Sequence, residues 1–138
     1  MALRFPVQQQ GTASAAAMWA HYEEPARWSA WSPQIRGATL EGPFAAGTRG
    51  VVHAPLGLKV PFTILSVDAA ARTWRWRVGA GPLTLTLEHG VRDGEAWAVL
   101  EGPAWLVLGY AFGAALALYN LAHVDRLQTD GALVGAGA

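Results

Sequence analysis

Between residues 36 and 101 apolar and polar positions take turns in short runs. Gly or Pro punctuates them at Gly42-Pro43, Gly47, Gly50, Pro55, Gly57, Gly79, Gly81-Pro82, Gly90, Asp93-Gly94 and Gly102-Pro103. Period-two runs of strand length bounded by turn formers predict an antiparallel sheet, with strands at about 36–41, 48–54, 58–68, 73–78, 83–91 and 95–101. Arg92-Asp93-Gly94 marks a tight hairpin. Side chains two apart share a face, so Trp74, Trp76 and Val78 lie opposite Arg75 and Arg77. By the same rule Leu83, Leu85, Leu87, His89 and Val91 lie opposite Thr84, Thr86 and Glu88. Leu58, Val60, Phe62 and Ile64 likewise share a face. One side of the sheet is therefore apolar and carries a histidine.

Ahead of the sheet, Phe5 and Val7 alternate with Pro6 and Gln8, which predicts a short first strand ended by the Gln run and Gly11. Thr12 or Ser14 offers a side-chain oxygen as N-cap for a helix over 15–22, with Met18, Trp19 and Tyr22 near one face. Pro25 breaks that helix and opens a second short one through Trp28, closed by Ser32-Pro33.

Residues 103–128, PAWLVLGYAFGAALALYNLAHVDRLQ, are uncharged until Asp125. Gly102 as N-cap, Pro103 as the first helical residue, Arg126 near the far end and Asp130-Gly131 beyond it predict one long helix. Length and composition also satisfy a membrane span, which needs about 20 apolar residues, and Gly109 with Gly113 has the G-x-x-x-G spacing. Asn120 and His123 in its last third, the lack of a flanking Lys/Arg cluster and the sheet before it argue for a core helix instead. An antiparallel sheet with one apolar face must cover that face, and this helix is the element long enough to do so. It has two stripes: Leu106, Tyr110, Gly113, Ala117, Asn120 and Val124 on one side, and Trp105, Leu108, Phe112, Ala115 and Tyr119 on the other. Both are apolar, so the outer one calls for a cover of its own, a homodimer interface first and a membrane surface second.

The 138 residues are one domain's worth of chain, assigned to residues 1–130 with 131–138 as a frayed tail. Ten basic and ten acidic side chains cancel and the basic ones are scattered, which argues against nucleic acid as a partner. There is no cysteine, hence no disulfide framework or thiolate chemistry, and MALRFPVQQQ has no apolar run of signal-peptide type, so a cytoplasmic location is expected. Seven tryptophans serve either to fill a core or to line an apolar cavity.

The segment TASAAAMWAHYEEPARWSAWSPQI carries a capped helix with Trp19, then the acidic-Pro-x-x-Trp turn Glu24-Pro25 to Trp28, then Trp31-x-Pro33. With GPFAAGTRG at 42–50 and FTILSVDAAARTWRW at 62–76, it resembles the SRPBCC superfamily of START, birch-pollen-allergen and polyketide-cyclase proteins. The resemblance runs from about residue 12 to 128. It implies an α+β helix-grip fold: a curved antiparallel sheet of about seven strands wrapped around a long C-terminal helix, with two short helices after the first strand. It also implies an internal cavity for a hydrophobic or aromatic small molecule, lipid-like or polyketide-like, with no cofactor. Combined with the alternation, it selects Phe62, Trp74, Trp76, Leu85, Leu87, His89, Leu106, Tyr110, Gly113 and Asn120 as ligand-binding residues.

Three functional classes remain open at this point. The first is a binder of an apolar small molecule. The second is a polyketide cyclase or dehydratase in which His89 acts as general base, the substrate rests on Trp74 and Trp76, and Tyr110 or Asn120 polarises a carbonyl. Against it stands a structural His89, held by hydrogen bonds. The third is an interaction module that docks a protein on its outer helix stripe. No metal site is expected, because His21, His53, His89 and His123 are far apart and no H-E-x-x-H spacing occurs. No G-x-S-x-G elbow surrounds a serine, and Gly79-Ala80-Gly81 runs into Pro82 rather than a helix. Arg49, Arg75 and Arg77 are expected on the solvated side rather than in an anion site.

Overall fold

The computed structural model describes residues 2–33 and 35–125. The chain runs β1 (Ala2–Gln10), α1 (Ala15–Glu23), a 3-10 turn (Pro25–Arg27), α2 (Trp28–Trp31), β2 (Gly37–Leu40) and β3 (Arg49–His53). A second 3-10 turn (Pro55–Gly57) follows, then β4 (Lys59–Asp68), β5 (Thr73–Ala80), β6 (Leu83–Arg92), β7 (Glu95–Pro103) and α3 (Ala104–Ala122). The seven strands make one antiparallel sheet in the order β1-β7-β6-β5-β4-β3-β2. Because β1 and β2 are the two edges, the segment with α1 and α2 must bridge from one edge to the other, and α3 packs across β1 and β7. This is the expected helix-grip arrangement.

Local expectations were met where a period or a cap decides them. Ser14 is the N-cap of α1 and its hydroxyl accepts from the Ala17 N–H at 3.1 Å. Strands β2 to β7 fall within a few residues of the alternating runs. Trp74, Trp76, Leu85 and Leu87 are buried while Arg75 and Arg77 are exposed, and Arg75 pairs with Glu88 on the outer face at 4.0 Å.

Three expectations are corrected. The first strand is nine residues long and includes the Gln run expected to end it. Pairing with β7 supplies what local propensity lacks, and the Gln8 and Gln10 side chains both donate to Glu95 Oε2, at 3.0 and 3.1 Å. Pro6 is tolerated because β1 is an edge. Second, the N-cap of α3 is Pro103 rather than Gly102, since β7 stays paired with β1 through Pro103 opposite Ala2. Third, the second short helix is split into a 3-10 turn and α2, which ends at Trp31. The helix stop at Arg126 and Asp130-Gly131, and the tail 131–138, lie outside the described residues.

The far end of α3 is held by the link after β1. Thr12 and Ala13 both donate their backbone N–H to the Ala122 carbonyl, at 2.8 and 2.9 Å, meeting one of the orphan acceptors of a helix terminus. Gly11 permits this approach, for a Cβ there would lie 2.1 Å from that same oxygen. Along the helix, Val107, Gly113, Ala114, Ala117, Leu118 and Leu121 form the buried stripe. Trp105, Leu108, Phe112, Leu116 and Tyr119 are exposed, Phe112 at 76%. Among the described residues this is the one helix long and apolar enough to cross a membrane, and its inner stripe is already covered by the sheet.

Candidate functional site

Two neighbouring spaces with part of their walls in common lie between the sheet, the short helices and α3. The larger is a cavity of about 520 Å³. Val52 and Val60 line it from the β3–β4 hairpin, Trp76, Val78 and Leu85 from β5 and β6, and Leu106 and Tyr110 from the first turns of α3. Pro33 and Ile35 after α2, Ala54 and Pro55 before β4, and Gly79 and Leu83 at the β5–β6 turn complete it. No charged side chain contributes to this wall, and the Tyr110 phenol is its main polar side-chain handle apart from an already bonded indole. The smaller space, about 30 Å³, lies deeper and shares Ile35, Trp76 and Tyr110 with the larger one.

The turns at the cavity have special backbone. Gly79 has φ +108, and a Cβ on it would lie 1.9 Å from the Leu83 carbonyl oxygen, so the β5–β6 turn needs glycine there. Leu56, in the turn before β4, adopts φ 65 and is 97% exposed; a non-glycine residue in this region is strained. Leu58 and Leu83 are also exposed at this end of the sheet, so its rim is apolar.

Behind the cavity stands an aromatic cluster built from two sources. Alternation along β4, β5 and β6 supplies Phe62, Trp74, Trp76 and His89, and the short helices supply Tyr22, Trp28 and Trp31. Trp74 stacks on His89 with centroids 5.0 Å apart and an interplanar angle of 24°. Trp28 sits against Phe62, Trp74 and Trp76 at centroid distances of 5.8, 5.6 and 5.2 Å. Such pairs contribute roughly 0.5–1.5 kcal/mol each beyond the area they bury.

His89 is fully engaged. The Trp76 indole N–H lies 3.0 Å from His89 Nε2, and Nδ1 lies 3.2 Å from the Tyr22 hydroxyl. Since an indole only donates, Nε2 is the acceptor and the proton sits on Nδ1, which donates to Tyr22. Burial draws the histidine pKa from 6.5 down to about 3, so the ring is neutral at ordinary pH. Burial likewise pushes the Tyr22 phenol up, with nearby Tyr110 adding to it, and pushes Tyr110 up to about 12. A general base needs a free lone pair and a pKa near the working pH. His89 offers neither in this arrangement, whose geometry is that of a connector between β5 and α1.

The ten sequence-selected residues separate into groups. Trp76, Leu85, Leu106 and Tyr110 line the larger cavity, and Trp74, Trp76, His89 and Tyr110 line the smaller space. The other four line neither. Phe62 is spent on packing against Trp28 and Trp76. Leu87 is sealed in the core, and Gly113 lies on the buried stripe of α3. Asn120, expected as a polar handle for the ligand, instead donates its side-chain N–H to the Trp31 carbonyl at 3.0 Å, tying α3 to the end of α2. Lining residues that the sequence reading did not select include Tyr22, Trp31, Ile35, Val52 and Val60. Tyr22 and Trp31 had a signal in the aromatic-rich segment 19–31, but nothing local tells which sheet face that segment crosses.

Residues 3–107 match the family described as polyketide cyclase / dehydrase and lipid transport. No curated protein matches the sequence. Among solved structures, the crystal structure of Ara h 8.0201 superposes with a TM-score of 0.70 at 13% identity, covering 94% of this chain and 99% of that one. A solution NMR structure of a protein from Thermobifida fusca gives 0.61 at 22% identity, covering 91% and 92%. At these identities both likenesses bear on the fold alone.

Proposed function

Because this chain belongs to the polyketide cyclase / dehydrase and lipid transport family, we propose that it binds one apolar or aromatic small molecule in the cavity between the sheet and α3. The observation that carries this reading is the cavity itself. Its volume of about 520 Å³ falls in the range of roughly 300–1,000 Å³ typical of small-molecule sites. Its wall is apolar side chains with one phenol, which suits a ligand whose binding energy comes from removing hydrocarbon from water. Intrinsic tryptophan fluorescence tests the reading, since Trp76 lines the cavity and Trp28 and Trp74 back it. Titration with a panel of aromatic and fatty ligands is expected to shift or quench the emission, and silence across the panel contradicts the reading.

Binding is favoured over catalysis by the occupancy of both His89 nitrogens. A cyclase or dehydratase reaction that uses His89 as base requires Trp76 to release Nε2 first.

The exposed stripe of α3 supports a second element of the reading, a homodimer. Trp105, Leu108, Phe112, Leu116 and Tyr119 expose five large apolar side chains on one helix face. A contiguous apolar face of this kind marks an interaction site, and a two-fold pairing of the same stripe on two copies covers it with itself.

A further inference from the structure

The larger cavity reaches the surface at one end of the sheet, for Leu83 lines it and is also 55% exposed. The β3–β4 and β5–β6 hairpins both turn at this end, where His53 pairs with Lys59 and Ala80 with Leu83. Leu56 and Leu58 stand in the first of these turns, 97% and 61% exposed, and line neither internal space. Packing inside the domain therefore does not account for them. Leu56 also holds φ 65, a backbone conformation that costs a non-glycine residue energy, and in it a large apolar side chain projects into solvent.

The charges around the mouth have one sign. Lys59 follows Leu58, and Arg36 donates its backbone N–H to the His53 carbonyl at 2.7 Å, so two exposed cations flank the leucines. Neither turn contains a carboxylate, and Glu101, near the mouth end of β7, stands opposite Arg4 in the β1–β7 register. At the other end of the sheet Glu41, Asp68, Asp93 and Glu95 offset Arg49, Arg72 and Arg92. Two narrow turns with three leucines form a wedge, small against the roughly 800 Å² per partner that a stable protein interface buries. A wedge suits a fluid bilayer, whose headgroup boundary takes up apolar side chains, and the flanking cations suit anionic headgroups.

We propose that this end of the sheet docks on an anionic phospholipid surface, with Leu56, Leu58 and Leu83 entering the headgroup boundary and Lys59 and Arg36 meeting lipid phosphates. The cavity then opens onto the bilayer, and an apolar molecule passes between the two without crossing water. Docking itself does not depend on the cavity holding a ligand; the exchange with the bilayer rests on that reading.

The chain has no cysteine, so Leu56→Cys and Phe112→Cys each carry a single nitrobenzoxadiazole label, one at the mouth and one on the outer face of α3. With vesicles of phosphatidylcholine and phosphatidylserine the mouth label is expected to brighten, shift to the blue and be quenched by nitroxide-bearing lipid, while the α3 label keeps its emission in buffer. Vesicles of phosphatidylcholine alone bind more weakly. In the unlabelled chain Leu56→Asp is expected to lower affinity for the anionic vesicles by about tenfold or more, the worth of withdrawing one leucine, and Lys59→Glu to remove the preference for them. Neither side chain lines the cavity, so the tryptophan response to ligands without vesicles stays as in the wild type. No binding to anionic vesicles, insertion of the α3 label in place of the mouth label, or full vesicle affinity in Leu56→Asp overturns the docking and leaves the cavity reading standing. Silence to every ligand with the mouth label still inserted removes the cavity reading and keeps the docking.

Discussion

The Trp76 indole nitrogen lies 3.0 Å from His89 Nε2, and this contact fixes both the charge and the tautomer of the histidine. An indole has no lone pair to accept with, so a doubly protonated His89 would set two donors against each other. Burial and this contact therefore act in the same direction.

Acid sensitivity follows from the sign of that shift. The folded-state pKa is lowered to about 3 from 6.5, so the unfolded chain takes up a proton below 6.5 that the folded chain refuses. Stability from this group is fully present above 6.5 and is lost as pH falls toward 3. The slope is about 1.4 kcal/mol per pH unit, or roughly 2 kcal/mol between pH 6.5 and 5. Urea unfolding at pH 7 and pH 5 measures it. In His89→Gln the difference between the two pH values is expected to shrink by that amount; an unchanged difference contradicts the assignment of His89 as a buried neutral ring.

The same variant addresses catalysis. His89 stands behind Trp76 and away from the larger cavity wall, so His89→Gln is expected to bind an apolar ligand with little change in affinity. If a turnover is found for the protein and this substitution abolishes it while binding persists, the histidine is a base after all.

Asn120 is expected to act on stability rather than on the ligand. Its side chain satisfies the Trp31 carbonyl, and Asn120→Ala leaves that acceptor short of a partner at the junction of α2 and α3. A loss of about 1–2 kcal/mol is expected, read as a lower urea midpoint. Unchanged stability together with weakened ligand binding would place Asn120 at the cavity instead.

The apolar face of α3 sets the expectation for assembly. Sedimentation of the wild-type chain at micromolar concentration without detergent is expected to give a dimer and Phe112→Asp a monomer, with the fold unchanged by circular dichroism. A wild-type monomer removes the dimer.

How much of this could be read from the residues depends on which physical signal decides each one. On β5 and β6 the period of two is rigid, so the placement of Trp74, Trp76, Leu85, Leu87 and His89 on the inner face was legible from alternation alone. On α3 the stripes were legible, but neighbouring positions differ by a modest rotation, and what each inner residue meets depends on where the helix lies on the sheet. Gly113 and Asn120 share a stripe with Tyr110, yet only Tyr110 reaches the cavity. The Gln run of β1 has weak strand propensity and is extended because β7 and Glu95 hold it. The roles of Tyr22 and Trp31 come from a crossing between sheet edges, for which no local pattern exists.

The proposed apolar ligand fills the space between Val60, Trp76, Leu85 and Tyr110. Calorimetric titration of the wild-type chain and of Val60→Trp with 2-acetylnaphthalene at several temperatures tests it most directly. The substitution adds a bulky ring to the cavity wall at a partly exposed position. One ligand per chain and a negative heat-capacity change, the marker of apolar burial, are expected, with binding lost in Val60→Trp although that variant stays folded. Equal binding by the two proteins, or binding without a negative heat-capacity change, would contradict it.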